Sequence, residues 1–241
     1  MDLYIIRHAQ STNNALADER QRVCDPLLTD TGLRQIELLA THLADGVNKD
    51  PRWPYTSPGS DRRNGRGYHL TRLFCSPMRR ALLTAQPVGL ALVVTPEVWV
   101  DIHEAGGMWL DHGEPEGTRG YPGISRRELL AEFPGYAVPE NLTEQGWWRG
   151  GREDDAAAAT RAIRVTATLR GWAERDERIA IVTHGAFTMF LLRVLLGQDL
   201  SAPVFFHHDN TGITLVCLRA DGETSLRYLN RLEHLPPELI T

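Results

Sequence analysis

The fold of this chain is constrained most by short apolar segments that end in polar residues and lead into a turn or a helical pattern. The first, residues 3–8, ends in Arg7 and His8 and opens on a polar turn. The second, residues 178–183, is rich in β-branched residues and leads to His184 and then to an apolar helical stretch. Buried strands that alternate with helices are typical of an α/β fold with an open, mostly parallel sheet.

A third apolar segment, Leu73–Cys75, comes directly before a helix start. Ser76 is predicted to be the N-cap of that helix and Pro77 its first residue. Arg80 then lies in the first turn, where the helix dipole favours anions, so its position calls for a compensating anion. Two further helix starts are predicted from their capping residues, Thr29 and Ser125.

Ligands of open α/β sheets bind beyond the carboxyl ends of the strands, so these three strand ends are predicted to converge on one site. A neutral imidazole is a nucleophile, and an adjacent arginine offers a fork of donors for phosphate or carboxylate oxygens. Backbone N–H groups at the helix start around Gly185 add an anion cradle. His8 is therefore a candidate nucleophile, although an isolated Arg-His pair is more often a strand-end histidine bonded to a backbone carbonyl.

Five segments, in order and spread over most of the chain, resemble the motifs of the histidine phosphatase superfamily, the phosphoglycerate mutase-like group. They are residues 7–14, 25–35, 76–85, 103–109 and 182–185. The first carries Arg-His-Ala-Gln-Ser-Thr-Asn-Asn against the family's Arg-His-Gly-Glu-Thr-x-x-Asn, and the third resembles the family's Ser-x-Leu-x-Arg-Ala-x-x-Thr-Ala. One such match is weak evidence, whereas five in the right order are strong evidence.

The resemblance implies a three-layer α/β/α sandwich with a mostly parallel central sheet, formed by one domain over residues 1–241. Insertions interrupt it at about residues 46–69 and 106–150. The first is rich in proline, glycine and arginine and is expected to be an exposed loop. The second follows Glu104 and is expected to form a wall of the active site and to determine which substrate binds. Three of its aromatic residues either form a surface for an organic leaving group or pack the insertion onto the core: Trp109, Tyr121 and Trp148.

The resemblance also implies a metal-independent phosphomonoester hydrolase with a phosphohistidine intermediate. His8 would attack phosphorus, and Glu104 would give a proton to the leaving alkoxide and later take one from water. Arg7 and His184 would share in catalysis. The donors expected around the phosphoryl oxygens are Arg7, Asn14, Arg80, His184 and Gly185. Bound phosphate would favour the protonated Glu104 that the arginines oppose, which predicts an acidic pH optimum for simple esters.

Departures from the family pattern bear on function. Ala9 and Gln10 replace the usual glycine and glutamate, and alanine is strained only if the backbone there needs a positive φ. The segment after Glu104 lacks the Glu-Arg-His-Tyr-Gly pattern of cofactor-dependent phosphoglycerate mutases, which favours hydrolysis. The alternatives are a 2,3-bisphosphoglycerate-dependent mutase and an inactive phosphate-ester binding protein. Retention of both a nucleophile and a proton donor weighs against the binding protein.

Composition limits the partners. The net charge of −5 is opposite to the basic charge of nucleic-acid-binding proteins. The only lysine, Lys49, follows no glycine-rich loop, which excludes a P-loop. No apolar stretch is long enough to span a bilayer, and the N-terminus lacks a signal-peptide pattern. The expected protein is cytoplasmic, without membrane contact, and binds a small phosphorylated metabolite; no heptad pattern indicates its oligomeric state.

Neither the cysteines nor the histidines form a recognisable metal-binding pattern. Cys24, Cys75 and Cys217 are odd in number and lack metal spacing, so they are expected to be reduced and mostly structural thiols. The chain has no His-Glu-x-x-His motif, and the adjacent His207 and His208 would point to opposite faces of a strand. No metal and no cofactor are therefore expected. Three further histidines are expected at the surface: His42, His69 and His234.

Overall fold

The computed structural model describes residues 1–47, 66–200 and 202–241. Within these ranges the strands are β1 (Asp2–Arg7), β2 (Arg72–Cys75), β3 (Pro96–Val98), β4 (Trp109–Asp111), β5 (Thr118–Gly120), β6 (Arg178–Thr183), β7 (Ile213–Leu218) and β8 (Thr224–Arg231). The α-helices are α1 (Asp30–Asp45), α2 (Arg79–Leu92), α3 (Arg126–Glu132), α4 (Asp155–Gly171) and α5 (Gly185–Leu195).

The main sheet has six strands in the order β3-β2-β6-β1-β7-β8, and β4 pairs with β5 in a separate antiparallel hairpin. The first four strands of the main sheet are parallel, with Arg7 of β1 opposite Thr183 of β6. The last two, β7 and β8, are added antiparallel. The carboxyl ends of β2, β6 and β1 therefore lie side by side at one edge of the sheet.

Helices cover both faces of the main sheet. In β1, Tyr4 and Ile6 pack with α1 and α2, whereas Leu3 and Ile5 pack with α4 and α5. Successive side chains of a strand point to opposite faces, so a strand covered on both faces is apolar throughout. The predicted three-layer α/β/α sandwich with a mostly parallel sheet is confirmed. None of the described helices is both long and apolar enough to cross a membrane.

The predicted caps of α1 and α3 are confirmed. Thr29 Oγ1 accepts a hydrogen bond from the Gly32 N–H at 3.0 Å. Ser125 and Glu128 form a reciprocal capping box at the start of α3. These caps satisfy backbone donors that a helix start otherwise leaves without partners.

Helix α2 begins later than predicted, because its N-cap is Met78 and not Ser76. The Ser76 hydroxyl instead accepts the Met78 N–H at 3.3 Å and contacts His184. The capping oxygen comes from a distant carboxylate, since Asp25 Oδ1 accepts the Arg79 N–H at 3.1 Å. This carboxylate supplies the anion that a helix N-terminus with arginines in its first turn requires.

The two predicted insertions differ in how much of them the structure describes. Residues 48–65 of the first lie outside the described ranges, and Val47 and Arg66 on either side form an antiparallel bridge. The second contains the β4–β5 hairpin and α3. Its buried side chains, among them Met108, Leu129 and Trp147, belong to the core on the α1–α2 side of the sheet.

The expected exposure of three histidines is confirmed for His69 and wrong for the other two. The rings of His42 and His234 are partly buried and stack with their centroids 5.4 Å apart. His42 Nε2 lies 2.9 Å from Tyr68 Oη, and His234 Nε2 lies 3.0 Å from Thr211 Oγ1. Burial, with a smaller effect of His42, lowers the pKa of His234 to about 3. These rings join α1 to the C-terminal segment.

Candidate active site

His8 follows β1 and has only 2% of its surface exposed. Its Nδ1 lies 2.7 Å from the carbonyl oxygen of Ala9. Because a carbonyl oxygen can only accept, the hydrogen-bond network assigns the proton to Nδ1 and leaves the lone pair on Nε2. Arg80 Nε donates to this Nε2 at 3.1 Å. The nitrogen that can attack a ligand therefore faces a guanidinium group.

Burial and two arginines keep His8 neutral. Burial, followed by the positive charges of Arg80 and Arg7, lowers the pKa of His8 well below its usual value. The hydrogen bond to the Ala9 carbonyl acts in the opposite direction and is the smallest of these influences. Because only the neutral imidazole is nucleophilic, His8 is held in its reactive form even in mildly acidic solution.

The two arginines reach His8 from different elements. Arg7 is the last residue of β1, and its Nη1 donates to the carbonyl oxygen of His208 at 2.5 Å. Its Nε is buried and has no hydrogen-bond partner among the described residues. Arg80 is the second residue of α2 and is also buried. Buried guanidinium donors with unused N–H groups are suited to bind the oxygens of an anion.

Glu104 follows the 3-10 turn Val100–Ile102, which comes after β3. Its Oε1 accepts the backbone N–H groups of Phe187 at 3.0 Å and Ala105 at 2.9 Å. Its Oε2 accepts no hydrogen bond from the described residues, and the side chain lines the same cavity as His8. One carboxylate oxygen thus fixes the orientation of the side chain and the other is available to exchange a proton with a ligand.

His184 follows β6 and packs against His8, with the two ring centroids 5.0 Å apart. Its Nε2 lies 2.8 Å from Ser76 Oγ, and its buried Nδ1 has no partner among the described residues. Burial, followed by the charge of Arg80, lowers the pKa of His184 well below its usual value. Gly185, the first residue of α5, lies beside Arg7, whose Nε would be 3.5 Å from a Cβ at position 185.

The polar turn after His8 is held by side-chain hydrogen bonds. Asn14 Oδ1 accepts from the Ser11 N–H at 3.0 Å and from Ser11 Oγ at 2.9 Å, which leaves its Nδ2 as a donor. Asn210 Nδ2 donates to the His8 carbonyl at 2.8 Å. The backbone at Ala9 does not have a positive φ, so alanine in place of the family's glycine causes no strain there.

A cavity of about 730 Å³ opens over these residues. Its walls come from residues 11–26 on one side and residues 104–113 on the other. Arg7, His8, Asn14, Arg80 and Glu104 all line it, whereas the fully buried His184 and the partly buried Gly185 do not.

Of the three aromatic residues predicted to meet a leaving group, only Trp109 lines the cavity. Tyr121 Oη is 2.8 Å from His112 Nε2, and Trp148 packs on His103 with a centroid separation of 5.0 Å. Trp148 therefore packs the insertion onto the core, which was the alternative interpretation.

Sequence reasoning missed several residues of the site. Several lining residues belong to no motif, and nothing in the sequence marks them; they include Glu19, Arg20, Arg22, Leu110 and Asp111. Arg161 of α4 lies behind Glu104 and could have been found. It interrupts an apolar stripe at helical spacing formed by Ala158, Ala162 and Val165, and a charged residue in such a stripe indicates a buried partner.

Across the described ranges, no three His, Cys, Asp or Glu side chains are grouped closely enough to hold a metal ion. His207 and His208 lie before β7 and outside any described strand, so the expected alternation along a strand does not apply to them. His207 is exposed, whereas His208 is buried with its Nε2 2.5 Å from Thr214 Oγ1. Cys75 and Cys217 are buried in β2 and β7, and Cys24 lies at the cavity wall.

Comparison with known proteins agrees with this geometry. A family model described as the histidine phosphatase superfamily (branch 1) matches residues 3–60 and 62–231. The comparison with curated proteins gives no match.

Similar solved structures include a phosphoserine phosphatase from Entamoeba histolytica in complex with 3-phosphoglyceric acid. It is 19% identical with a TM-score of 0.59, over 98% of this chain and 99% of that one. A mycobacterial glucosyl-3-phosphoglycerate phosphatase is 18% identical with a TM-score of 0.59, over 96% and 99%. At this level of identity the likeness establishes the fold.

Proposed function

The chain belongs to the histidine phosphatase superfamily, and from this membership we propose that it is a phosphomonoester hydrolase that needs no metal ion and forms a phosphohistidine on His8. One observation carries the proposal. His8 Nδ1–H donates to the Ala9 carbonyl oxygen, which leaves the lone pair on Nε2. This Nε2 lies 3.1 Å from Arg80 Nε. A neutral nucleophile that borders a buried guanidinium suits attack on a phosphate group.

In the first step, His8 Nε2 attacks phosphorus and the bond between phosphorus and the leaving oxygen breaks. Glu104 Oε2, protonated at the start, transfers its proton to that oxygen, so the leaving group departs as an alcohol. N–H donors of Arg7, Arg80 and Asn14 bind the non-bridging oxygens, whose charge is spread in the transition state. The unused donors at Arg7 Nε and Asn14 Nδ2 support this assignment.

In the second step, water attacks the phosphohistidine and the bond between nitrogen and phosphorus breaks. The Glu104 carboxylate takes the proton of the water, which restores both the neutral imidazole and the carboxylic acid. The same oxygen acts as acid and then as base, so a carboxyl group fixed through Oε1 and open at Oε2 suits both steps.

His184 is proposed to donate a neutral hydrogen bond to the transferring phosphoryl group. In this assignment the Ser76 hydroxyl, which lies 2.8 Å from His184 Nε2, donates its proton to that nitrogen. His184 then carries its proton on Nδ1, the nitrogen without a partner. The N–H of Gly185 at the start of α5 would add a further donor.

The substrate is proposed to be a small phosphorylated metabolite. The cavity of about 730 Å³ exceeds the volume of a phosphate group and leaves space for an organic part. Its outer lining mixes Arg20 and Arg22 with Glu19 and Asp111, so a polar leaving group suits it better than an apolar one. Phosphoserine and glucosyl-3-phosphoglycerate, on which the similar structures act, are therefore reasonable members of a first panel.

The test is phosphate release from a panel of monoesters, with chelator present, at mildly acidic and neutral pH. Wild type is compared with His8→Ala and with His207→Ala, which removes an exposed histidine outside the cavity. The labelled phosphoenzyme is then trapped from a ³²P-labelled ester, because a phosphohistidine is labile in acid and stable in base.

Release that survives the chelator, disappears in His8→Ala and persists in His207→Ala supports the proposal. No release from any ester by folded wild type would overturn it, and the mutase reaction with its phosphorylated primer would then be tested.

A further inference from the structure

A buried ion pair lies behind Glu104 and outside the cavity lining. Arg161 of α4 is 2% exposed, and its partner Glu153 has 8% of its side chain exposed. The contact is bidentate, with Arg161 Nε 2.9 Å from Oε1 and Nη2 2.6 Å from Oε2 of Glu153. Removing two charges from water is costly, so a buried pair is weak evidence of a gain in stability and calls for another explanation.

The remaining donors of Arg161 bind the segment that carries Glu104. Nη1 donates to the carbonyl oxygens of Asp101 at 2.8 Å and His103 at 2.9 Å. Nη2 also reaches the carbonyl oxygen of Glu104 itself at 3.4 Å. One guanidinium therefore contacts three carbonyl groups within four residues of chain.

Glu153 binds the same segment on the other side of Glu104. Its Oε2 accepts the Gly106 N–H at 3.3 Å, and its own N–H donates to the Gly106 carbonyl at 2.9 Å. The ion pair thus contacts the backbone both before and after the residue with the free carboxylate oxygen.

Arg161 also contacts the residue that orients the Glu104 side chain. Its guanidinium carbon lies 4.2 Å from the ring centroid of Phe187, and the Phe187 N–H donates to Glu104 Oε1 at 3.0 Å. The backbone of Glu104 and the partner of its carboxylate are therefore fixed by the same side chain.

The neighbouring His103 does not replace Arg161 as the charged partner of Glu153. Its Nδ1 donates to the Val100 carbonyl at 2.7 Å, and its Nε2 is 3.9 Å from Glu153 Oε2. Burial, followed by the charge of Arg161, lowers the pKa of His103 to about 3, so this ring is neutral. The charge of Glu153 is balanced by Arg161.

We propose that Arg161, held by Glu153, is a positioning residue that sets the Glu104 carboxyl group for proton transfer to the leaving group. This inference rests on the proposed function, because it assigns a second residue to the step in which Glu104 acts. Arg161 touches neither the cavity nor His8, so its effect on catalysis passes through Glu104.

The chain offers a matched control in Arg193. This buried arginine of α5 also donates to three carbonyl groups, those of Leu200, Ala202 and Val204, far along the chain from Glu104. Arg193→Gln therefore removes a comparable backbone clamp without touching the Glu104 segment.

The experiment compares kcat/KM for para-nitrophenyl phosphate and phenyl phosphate. Para-nitrophenolate leaves readily without a proton, whereas phenolate needs one. Misplacing a proton donor therefore slows the second ester selectively, while general damage slows both equally. Glu104→Gln serves as the reference, and folding of each variant is checked by circular dichroism.

In Arg161→Gln, kcat/KM for phenyl phosphate is expected to fall about 100-fold and that for para-nitrophenyl phosphate less than about tenfold. Arg161→Lys, which keeps the charge and loses the fork, is expected to lie between wild type and Arg161→Gln. Arg193→Gln is expected to leave the ratio of the two esters unchanged. If Arg161→Gln does not fold, the ratios in Arg161→Lys and Glu153→Gln decide by the same criterion.

Equal loss for both esters in folded Arg161 variants, with selective loss in Glu104→Gln, would overturn the positioning role alone. An absence of selective loss in Glu104→Gln would instead overturn Glu104 as the proton donor, and the positioning role with it.

Discussion

Ser76 Oγ and His184 Nε2 lie 2.8 Å apart across the ends of two neighbouring parallel strands, so a hydrogen bond joins the two side chains. We propose that the Ser76 hydroxyl donates to Nε2, which places the imidazole proton on Nδ1.

Replacement of Ser76 tests this relationship. In Ser76→Ala, Nε2 loses its donor and His184 is no longer held in the tautomer that donates from Nδ1. We expect kcat/KM for phosphate release to fall about tenfold, which corresponds to one hydrogen bond. Ser125→Ala is the control, since it removes the cap of α3 and is expected to lower the free energy of unfolding by about 1 kcal/mol with kcat/KM unchanged. Wild-type kcat/KM in Ser76→Ala would contradict the assignment.

The pH dependence of the reaction follows from the neutral histidines. A histidine with its usual pKa becomes charged and unreactive as the pH falls below about 6.5. Burial and the two arginines lower the pKa of His8, so this loss is shifted to more acidic solution. Glu104 must be protonated in the first step, so kcat for simple alkyl esters is expected to be higher at about pH 5.5 than at about pH 8. A kcat that rises steadily with pH through the neutral range would count against Glu104 as the acid.

Acid is expected to destabilise the fold through buried histidines. Burial lowers the pKa of His103 and His234 to about 3 and that of His208 to about 4, against a usual value of 6.5. Between about pH 6.5 and 4 the unfolded chain therefore binds more protons than the folded one, and stability falls as the pH falls. The slope approaches about 1.4 kcal/mol per pH unit for each such histidine.

The measurement is the free energy of unfolding in denaturant at several pH values in this range. His234→Gln is expected to reduce the slope by the contribution of one proton, and His207→Gln, at an exposed position, to leave it unchanged. A slope that is the same in both variants would show that His234 is not neutral in the folded state.

The close contact between Gly32 and the turn after His8 predicts a sensitive position. A Cβ at Gly32 would lie 2.2 Å from the Gln10 carbonyl oxygen, which accepts the Thr29 N–H at 3.0 Å. Gly32→Ala is expected to lower the free energy of unfolding by about 1–3 kcal/mol and to reduce kcat, because the turn must shift. Gly171→Ala, where a Cβ meets nothing within 4 Å, is expected to be neutral or to stabilise by up to about 1 kcal/mol. Equal melting temperatures for the two variants would contradict this.

Features set by local sequence were predicted better than features set by distant contacts. The caps at Thr29 and Ser125 follow from residue type and the open, mostly parallel sheet from the apolar strand pattern, and the structure confirms them. The start of α2 was predicted wrongly, because the capping carboxylate comes from Asp25, more than fifty residues away. Local capping rules cannot reveal such a partner.

In the candidate site, too, residues marked by motifs were predicted, whereas contacts that depend on the packing of distant segments were not. His8, Arg80 and His184 were predicted from strand ends and motifs, and the structure brings them together. The interaction of Arg161 with the Glu104 segment depends on the packing of α4 against a loop some sixty residues earlier, which a single sequence does not specify. The placement of Trp109 at the cavity, and of Trp148 away from it, depends likewise on how the insertion folds.

The order of the strands has a consequence for how activity and specificity can vary. His8, Ser76 and His184 follow three adjacent strands that are far apart in the sequence, so these side chains come together only when all three strands are paired. Local unfolding of any one of the three strands is therefore expected to abolish the activity proposed for this site. One wall of the cavity, in contrast, includes the residues of β4, which is not part of that sheet. Substitutions in β4 are therefore expected to change which ligands the cavity accepts while the six-stranded sheet stays unchanged.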